Sequence, residues 1–213
     1  MITIHHLGVS QSERIIWLCE ELGLPYELKV YARDPSTMMA PPALQAVHPL
    51  GSAPVITEGQ RVLAESSAIV EYLLERYGKG RLRPATSAPE FPDYLYWLHY
   101  ANGSLMPNIM LGFILGMPLA DNAVHPLAVM FGERVQRHFQ FVEDRLGQAQ
   151  FVAGSEFTAA DLVMHFPFGT MRAFAPIDLS RRPNTRAWLA RISARPAYQK
   201  AMRLAGHERD PAA

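Results

Sequence analysis

The hydrophobic pattern of the chain changes near residue 80, and this change constrains the fold more than any other feature of the sequence. After it, apolar residues recur at helical spacing almost throughout, without the alternation that is typical of strands. Mixed strands and helices followed by helices alone predict two domains. The expected strands of the first part lie at residues 2–5, 27–31, 54–57 and 61–64, and its main helices at residues 14–22 and 65–77.

The boundary between the two parts is rich in glycine and proline. Gly80 and Pro84 fall among small and polar residues, which favours a linker. We therefore predict an α/β domain over residues 1–80, a linker over residues 81–90 and an all-helical domain over residues 91–213. In the helical domain we expect helices at residues 91–117, 123–146, 159–172, 184–194 and 197–205.

Composition and charge exclude several classes of protein. The 20 basic and 20 acidic residues of the 213-residue chain cancel, so a nucleic acid or an anionic membrane is not an expected partner. No apolar run reaches the roughly 20 residues that a membrane-spanning helix needs. A single cysteine, Cys19, excludes an internal disulfide framework and favours a reducing compartment. Residues 1–6 do not resemble a targeting signal, and we expect a cytoplasmic protein.

The first candidate site opens the first helix, at residues 10–14. Ser10 is a residue type that caps helices, and Glu13, three residues later, is its potential capping-box partner. The same hydroxyl, with the free N–H groups of a helix N-terminus, is also suited to holding an anion. If that anion is a thiolate, lowering its pKa by two units needs only about 2.7 kcal/mol of differential stabilisation. This segment alone leaves both interpretations open.

A proline before a short strand marks the second candidate site, within residues 48–56. Pro54 has no N–H group to donate to a neighbouring strand. An ordinary trans proline at a strand start explains this, and so does a cis Ala53–Pro54 bond that turns the N–H and C=O groups of Val55 outward. In the second case, the backbone of Val55 is expected to pair with a peptide-like ligand as an added strand does.

Glu65 and Ser66 form the third candidate site, where a helix begins directly after the predicted hairpin. As capping residues they stabilise the helix end. As binding residues they divide the work, since Ser66 is suited to a carboxylate and Glu65 to an ammonium group. An amino-acid headgroup carries both charges. Two helix N-termini and one exposed backbone segment therefore suit a short anionic peptide with a thiol.

Together these residues stand in an order that resembles the cytosolic glutathione transferase family over essentially the whole chain. The bacterial and fungal serine-type members are the most similar, since they share residues 33–35 and 40–42. The resemblance implies a thioredoxin-like first domain, a cis bond before Pro54, glutathione as co-substrate and a homodimer. The residues that carry it are Ser10 and Arg14, Trp17-Leu18-Cys19-Glu20-Glu21-Leu22-Gly23-Leu24-Pro25-Tyr26, His48-Pro49-Leu50-Gly51, Ala53-Pro54-Val55, Glu65-Ser66, Ala68-Ile69 and Phe157-Thr158-Ala159-Ala160-Asp161-Leu162.

Carried over residue by residue, the resemblance implies specific roles for five side chains or backbone groups. Ser10 falls on the hydroxyl that stabilises the glutathione thiolate, and Ser12 is the alternative. Val55 falls on the backbone anchor of the cysteinyl unit, and Glu65 and Ser66 fall on the γ-glutamyl site.

The other expected glutathione-binding residues are His48, Ser52, Ala53 and Pro54. Ser52 departs from the family, which often has lysine or glutamine at this position to hold the glycyl carboxylate. This departure puts tight glutathione binding in question, unless His48 or Arg33 supplies the missing cation.

In the helical half, Thr158 and Asp161 have the spacing of a capping box, which predicts a role in folding. The first helix of this half is expected to form mainly bundle core. In this family the equivalent helix borders the electrophile pocket, and methionines adapt to varied apolar ligands. Tyr100, Leu105 and Met106 are therefore the predicted second-substrate residues.

Residues with metal-binding or redox chemistry do not cluster in the sequence. Cys19 falls on the apolar side of the first helix, which predicts a buried structural thiol. His5 and His6 are adjacent in a strand, so their side chains are expected to face opposite ways. His165 is expected at the edge of the core or on the surface. We predict no metal site.

The predicted activity is that of a glutathione transferase, in which the thiolate of glutathione attacks a small apolar electrophile. Glutathione peroxidase activity needs the same thiolate and stays open. Two alternatives remain. One is a glutathione-dependent isomerase, although the Ser-Ser-x-x-Ser signature of such relatives is absent. The other is a non-catalytic binding or scaffold protein that keeps the fold.

Overall fold

The computed structural model describes residues 1–117 and 125–207. Its sheet has four strands in the order β2-β1-β3-β4, with β1 parallel to β2 and the other neighbours antiparallel. The predicted strands are confirmed, with ends that differ by one or two residues. Their bounds are Ile2–Leu7 for β1, Tyr26–Tyr31 for β2, Val55–Glu58 for β3 and Arg61–Ala64 for β4.

Helices occupy most of the remaining described chain. The segment between α3 and α4 holds no helix or strand, and the exact domain boundaries stay a prediction. No described helix is long and apolar enough to cross a membrane. The helices are α1 (Glu13–Leu22), α2 (Pro42–Gln45), α3 (Ser66–Tyr77), α4 (Phe91–Tyr100), α5 (Met106–Gly116), α6 (Ala128–Gln148), α7 (Ala159–Phe168), α8 (Pro183–Ser193) and α9 (Pro196–Leu204).

The predicted continuous helix over residues 91–117 is interrupted by a π-helical turn at Ala101–Leu105. The N–H group of Met106 bonds to the carbonyl of Ala101, five residues back. Pro107 explains part of this change, because it has no N–H group to donate to the preceding turn. The extra residue in this turn rotates the side chains that follow, so the two halves of the helix face different neighbours.

One continuous core joins the sheet to the helical half. Ile4 of β1, Trp17 of α1, Leu98 of α4 and Trp188 of α8 all belong to the same cluster of buried side chains. Cys19 is buried in this cluster as predicted, and burial raises the pKa of its thiol to about 12. The position of α1 between sheet and helical bundle therefore fixes its N-terminal turn relative to both.

The predicted capping box at α7 is confirmed. The side chain of Thr158 and the carboxylate of Asp161 cap the first turn of α7 reciprocally. Asp161 also accepts hydrogen bonds from the N–H group of Val152 at 2.9 Å and from the indole of Trp188 at 2.9 Å. This carboxylate thus joins the start of α7 to the preceding loop and to α8.

His165 of α7 is fully buried, so the prediction of an edge or surface position is wrong. Its ring packs edge-on against Trp17 and Tyr198. Burial, and in second place the positive charge of Arg14, lower the pKa of His165 to about 3. The imidazole is therefore neutral in the folded protein over the whole physiological pH range.

Acidification is expected to destabilise the protein through His165. In the unfolded chain His165 is protonated below pH 6.5, whereas in the folded chain it is protonated only below about pH 3. The contribution of His165 to stability then falls by about 1.4 kcal/mol per pH unit between these values. Asp161, whose pKa burial raises to about 6, contributes with the opposite sign below pH 6, so the effect of His165 is the difference between variants. Urea unfolding between pH 7 and pH 4.5 measures this difference: the stability of wild type is expected to fall more steeply with decreasing pH than that of His165→Phe, and that of the exposed-site variant His99→Phe as steeply as wild type. An equal slope in wild type and His165→Phe would contradict the assignment.

Candidate functional site

The candidate site lies where the end of β1 meets the start of β3. His5 pairs with Val55 in the sheet, so the loop that follows Leu7 and the segment that precedes Val55 lie at the same edge. The Ala53–Pro54 bond is cis, as the resemblance implied. This edge carries the turn of residues 8–12, which leads directly into α1.

Ser10 and Glu13 do not form the capping box that their spacing allows. The N-cap of α1 is Ser12, whose side chain makes no capping bond. Ser10 instead contacts the carbonyl oxygen of Leu7 at 2.6 Å and the hydroxyl of Ser12 at 2.7 Å. Glu13 points away, where it accepts a hydrogen bond from Thr170. The oxygen of Ser10 accepts the N–H group of Ser12 at 3.3 Å, one residue before α1 begins, so the first turn of α1 has no side-chain cap.

The two serines differ in their access to solvent. Ser12 has no exposed surface, whereas Ser10 is 8% exposed. Ser12 is held from below by Nδ1 of His6 at 2.8 Å and by the N–H group of Leu7 at 3.3 Å. Of the two hydroxyls, that of Ser10 is therefore the one that a ligand reaches first.

Arg33 fastens the loop that carries Ser10. Its guanidinium donates to the carbonyl oxygens of Gly8 at 2.8 Å, Val9 at 3.0 Å and Met38 at 2.8 Å. These contacts make Arg33 a part of the loop's framework, so it is poorly placed to replace the cation that Ser52 lacks. That leaves His48 as the remaining candidate, because its Nδ1 is buried without a hydrogen-bond partner in the described residues.

The structure places Val55 differently from what the sequence suggested. Val55 pairs with His5 on one side and with Ala64 on the other, and it is fully buried. In an antiparallel sheet, the N–H and C=O groups of one residue point to the same side of the strand. Those of Val55 therefore face β1 or β4 and are not turned outward toward a ligand. Ala53, directly before the cis bond, lies outside the strands and is half-buried. Among the described residues, the backbone of Ala53 has no backbone hydrogen-bond partner, so at this edge it is the candidate to pair with a ligand.

Glu65 and Ser66 open α3, and Glu65 has an uncommon backbone conformation. Its φ of 71° is in the region that side-chain-bearing residues rarely adopt, at a cost of about 1–3 kcal/mol. The Glu65 side chain is exposed and makes no capping bond. Ser66 is buried, and the N–H groups of residues 66–68 have no acceptor within the helix. Strain at such a position is typical of binding sites.

Arg14 is a functional candidate that the sequence interpretation missed. Its guanidinium, 1% exposed, donates to Ser66 at 3.1 Å and to Asn102 at 2.9 Å. Gln11 accepts from both Arg14 and the Ser66 hydroxyl. Burial lowers the pKa of Arg14 to about 9, so the guanidinium stays charged at pH 7. A buried positive charge therefore lies directly under the N-terminus of α3.

Arg14 and Asn102 were missed for different reasons. Arg14 stands within the buried face of α1, and a charged residue in an apolar face is a signal that the sequence does contain. Asn102 lies in the π-helical turn, and it donates to Ser66 at 2.8 Å and to Ser67 at 3.0 Å. Its orientation depends on that turn, which helical periodicity does not predict.

The three predicted second-substrate residues are separated by the same turn. Met106 lies beside the site, since its sulfur accepts a hydrogen bond from Arg14 at 3.4 Å. Leu105 is fully buried in the core. The hydroxyl of Tyr100 contacts Nδ1 of His138 at 2.6 Å, in a groove with Tyr96. Only Met106 is thus brought next to the other candidate residues.

Known proteins match the chain over both halves. The family model "Glutathione S-transferase, N-terminal domain" matches residues 10–76, and "Glutathione S-transferase, C-terminal domain" matches residues 106–196. The relative named Glutathione S-transferase 3 from Schizosaccharomyces pombe is 33% identical over 216 residues, covering 92% of this chain and 85% of the relative.

Solved structures share the whole fold. A glutathione S-transferase from Actinobacillus pleuropneumoniae has a TM-score of 0.86 and 36% identity, covering 97% of this chain and 93% of that chain. A glutathione transferase from Phanerochaete chrysosporium, solved with oxidized glutathione, has a TM-score of 0.77 at 19% identity, covering 96% of this chain and 95% of that chain.

Proposed function

Because the chain belongs to the glutathione S-transferase family, we propose that it binds glutathione, ionises its thiol and presents the thiolate to a small apolar electrophile. The observation that carries this proposal is the Ser10 hydroxyl, which is the accessible member of a fixed serine pair at the mouth of α1. Glutathione is a co-substrate here, and the chemistry needs no metal.

Charge complementarity supports a γ-glutamyl site at the start of α3. The α-carboxylate of glutathione fits the free N–H groups of residues 66–68, with the buried charge of Arg14 beneath them. The ammonium group fits the exposed carboxylate of Glu65. The cysteinyl unit then lies along the backbone of Ala53, and the glycyl carboxylate extends toward His48 and Ser52.

Ser10 lowers the thiol pKa by donating its hydroxyl hydrogen to the sulfur. The unperturbed thiol has a pKa of about 8.5, so it is mostly protonated at pH 7. One or two hydrogen bonds to the charged sulfur supply the roughly 2.7 kcal/mol that a shift of two units requires. Binding both substrates side by side then supplies proximity.

Met106 is the residue that we place at the border between the two substrates. It begins α5 in the helical half and lies beside Arg14, and its flexible thioether suits varied apolar groups. Peroxide reduction by the same thiolate is compatible with this site. A non-catalytic role is less well supported, because Ser10, Glu65 and Ser66 are all in place.

We further propose a cytoplasmic homodimer. Tyr96 and Phe141 expose about half of their surface on one side of the helical half, and their rings are in contact. Exposed aromatic clusters of this kind are typical of interface cores.

The binding site is tested by calorimetry with glutathione. We expect one glutathione per chain and about a 10- to 100-fold weaker affinity for Glu65→Gln, because a charge-assisted hydrogen bond to the ammonium group is lost. Glu75→Gln, an exposed site on the same helix, is the matched control and is expected to bind like wild type. No binding by wild type, or equal binding by Glu65→Gln, would contradict the proposed site.

A further inference from the structure

His6 of β1 lies directly beneath the two serines, on the opposite side of the strand from His5. It has no exposed surface. Its Nε2 lies 3.1 Å from the carbonyl oxygen of Ala205, in the segment that follows α9. A carbonyl oxygen only accepts hydrogen bonds, so Nε2 must carry a hydrogen. In the neutral imidazole, Nδ1 is then an acceptor.

Three polar atoms form a row from His6 to the site. Nδ1 of His6 lies 2.8 Å from Oγ of Ser12, which lies 2.7 Å from Oγ of Ser10. Each of these contacts needs one hydrogen. With a neutral His6, Ser12 donates to Nδ1, and the hydrogen of Ser10 points inward, toward Ser12 or the carbonyl of Leu7. Ser10 then has no hydrogen directed at a ligand.

When a thiolate is bound, donor and acceptor exchange roles in each hydrogen bond along this row. The Ser10 hydrogen turns from the Leu7 carbonyl to the sulfur, so Ser10 gives up its 2.6 Å contact with Leu7, and the contact between the serines requires Ser12 to donate to Ser10. Ser12 then has no hydrogen left for His6, and Nδ1 must donate instead. Because Nε2 still faces the Ala205 carbonyl, His6 carries hydrogens on both nitrogens in this state.

We propose that His6 is a positioning residue that takes up the proton of the glutathione thiol through Ser10 and Ser12. The S–H bond breaks and its proton moves to Ser10 Oγ, the hydroxyl proton of Ser10 moves to Ser12 Oγ, and that of Ser12 moves to Nδ1 of His6. The products are a thiolate that accepts a hydrogen bond from Ser10, and an imidazolium that donates to Ser12 and Ala205. This inference rests on the proposed function.

The groups around His6 disfavour its charged form unless a negatively charged ligand is bound nearby. Burial lowers the pKa of His6, the Ala205 carbonyl opposes this effect, and the neighbouring His207 adds to it. His207 in turn lies 2.9 Å from the carboxylate of Glu13, at the start of α1. Arg14, the other charged group of that turn, is directed away toward Ser66. A nearby negative sulfur is therefore what favours the charged imidazole.

Nitrogen NMR of the full chain labelled in histidine tests the proposal directly. At a pH where the thiolate absorbance of bound glutathione is present, both His6 nitrogens are expected to be protonated. In the complex with S-methylglutathione, which has no thiol proton, only Nε2 is expected to be protonated. The same His6 state in both complexes would overturn the inference and leave the proposed function intact. Absence of the thiolate absorbance would overturn both.

A pair of variants tests the same point in solution. His6→Asn keeps a hydrogen-bonding group near Ser12 but takes up no proton, and it is expected to raise the bound thiol pKa by about one unit and to lower kcat at pH 6.5 about fivefold. The KM for glutathione is expected to change less than kcat. His5→Asn, whose side chain faces Tyr31 and Thr57, is the control and leaves the thiol pKa unchanged.

A wild-type thiol pKa in a folded His6→Asn variant would overturn the proposal. If His6→Asn does not fold, the NMR comparison of the two wild-type complexes decides the matter alone. The His6 signals are then assigned by elimination, from variants such as His5→Asn in which another histidine is replaced and its signals disappear.

Discussion

Replacing Asp161 by alanine is expected to lower the free energy of unfolding by about 3–5 kcal/mol. The carboxylate is fully buried and accepts hydrogen bonds from Val152, Thr158 and Trp188. Its removal leaves two backbone N–H groups and one indole N–H group without an acceptor, each at about 1–3 kcal/mol. One of these bonds, from the N–H group of Thr158, is the Asp161 half of the capping box, whereas the Thr158 side chain still caps α7 in the variant. Chemical denaturation at pH 8 measures the change.

The measurement is best made well above pH 6, since burial raises the pKa of Asp161 to about 6. Asp178→Ala is the matched control, because Asp178 is exposed and bonds to a neighbouring residue, accepting from the N–H group of Ser180 at 2.8 Å and from the Ser180 side chain. We expect it to cost less than about 1 kcal/mol. A similar loss of unfolding free energy in both variants would contradict the expectation that the buried hydrogen bonds of Asp161 contribute more to stability than exposed ones.

Replacing Ser10 by alanine is expected to return the pKa of bound glutathione to about 8.5. If the wild-type value is two units lower, the thiolate fraction at pH 7 falls about 25-fold, and kcat/KM for an activated aryl halide falls at least as much. Binding of S-methylglutathione is expected to stay within a few-fold of wild type, since the hydroxyl acts on the charged sulfur.

Two further serine variants complete this experiment. Ser52→Ala changes an exposed serine at the same edge and is expected to leave the thiol pKa unchanged. An unshifted value in Ser10→Ala, beside a raised value in Ser12→Ala, would assign the thiolate contact to Ser12 instead. The 8% exposure of Ser10 and the complete burial of Ser12 favour the first outcome.

Much of the fold follows from local sequence patterns. The strands, the main helices and the capping box of Thr158 and Asp161 were predictable because each depends on residues close together in the chain. The π-helical turn was not, because it depends on one missing N–H group at Pro107 and on packing around Asn102. Because of this turn, Met106 lies next to Arg14, whereas Tyr100 and Leu105 do not.

The positions of the main residues of the candidate site were predictable, but the hydrogen bonds that their side chains make were not. The positions of Ser10, Pro54 and Ser66 followed from motif order, because their backbone contexts are local. The partners of each side chain come from distant segments, such as Ala205 beneath His6. Spacing alone suggested that Glu13 caps Ser10, whereas tertiary contacts direct Glu13 to Thr170 and His207.

The ionisation of bound glutathione tests the central claim most directly. The ultraviolet absorbance of the thiolate, recorded against pH for the wild-type complex and for free glutathione, gives the two thiol pKa values. The account predicts a value about two units lower in the complex. An equal pKa in the complex and in free solution would contradict the proposed role of Ser10 and favour a non-catalytic protein of the same fold.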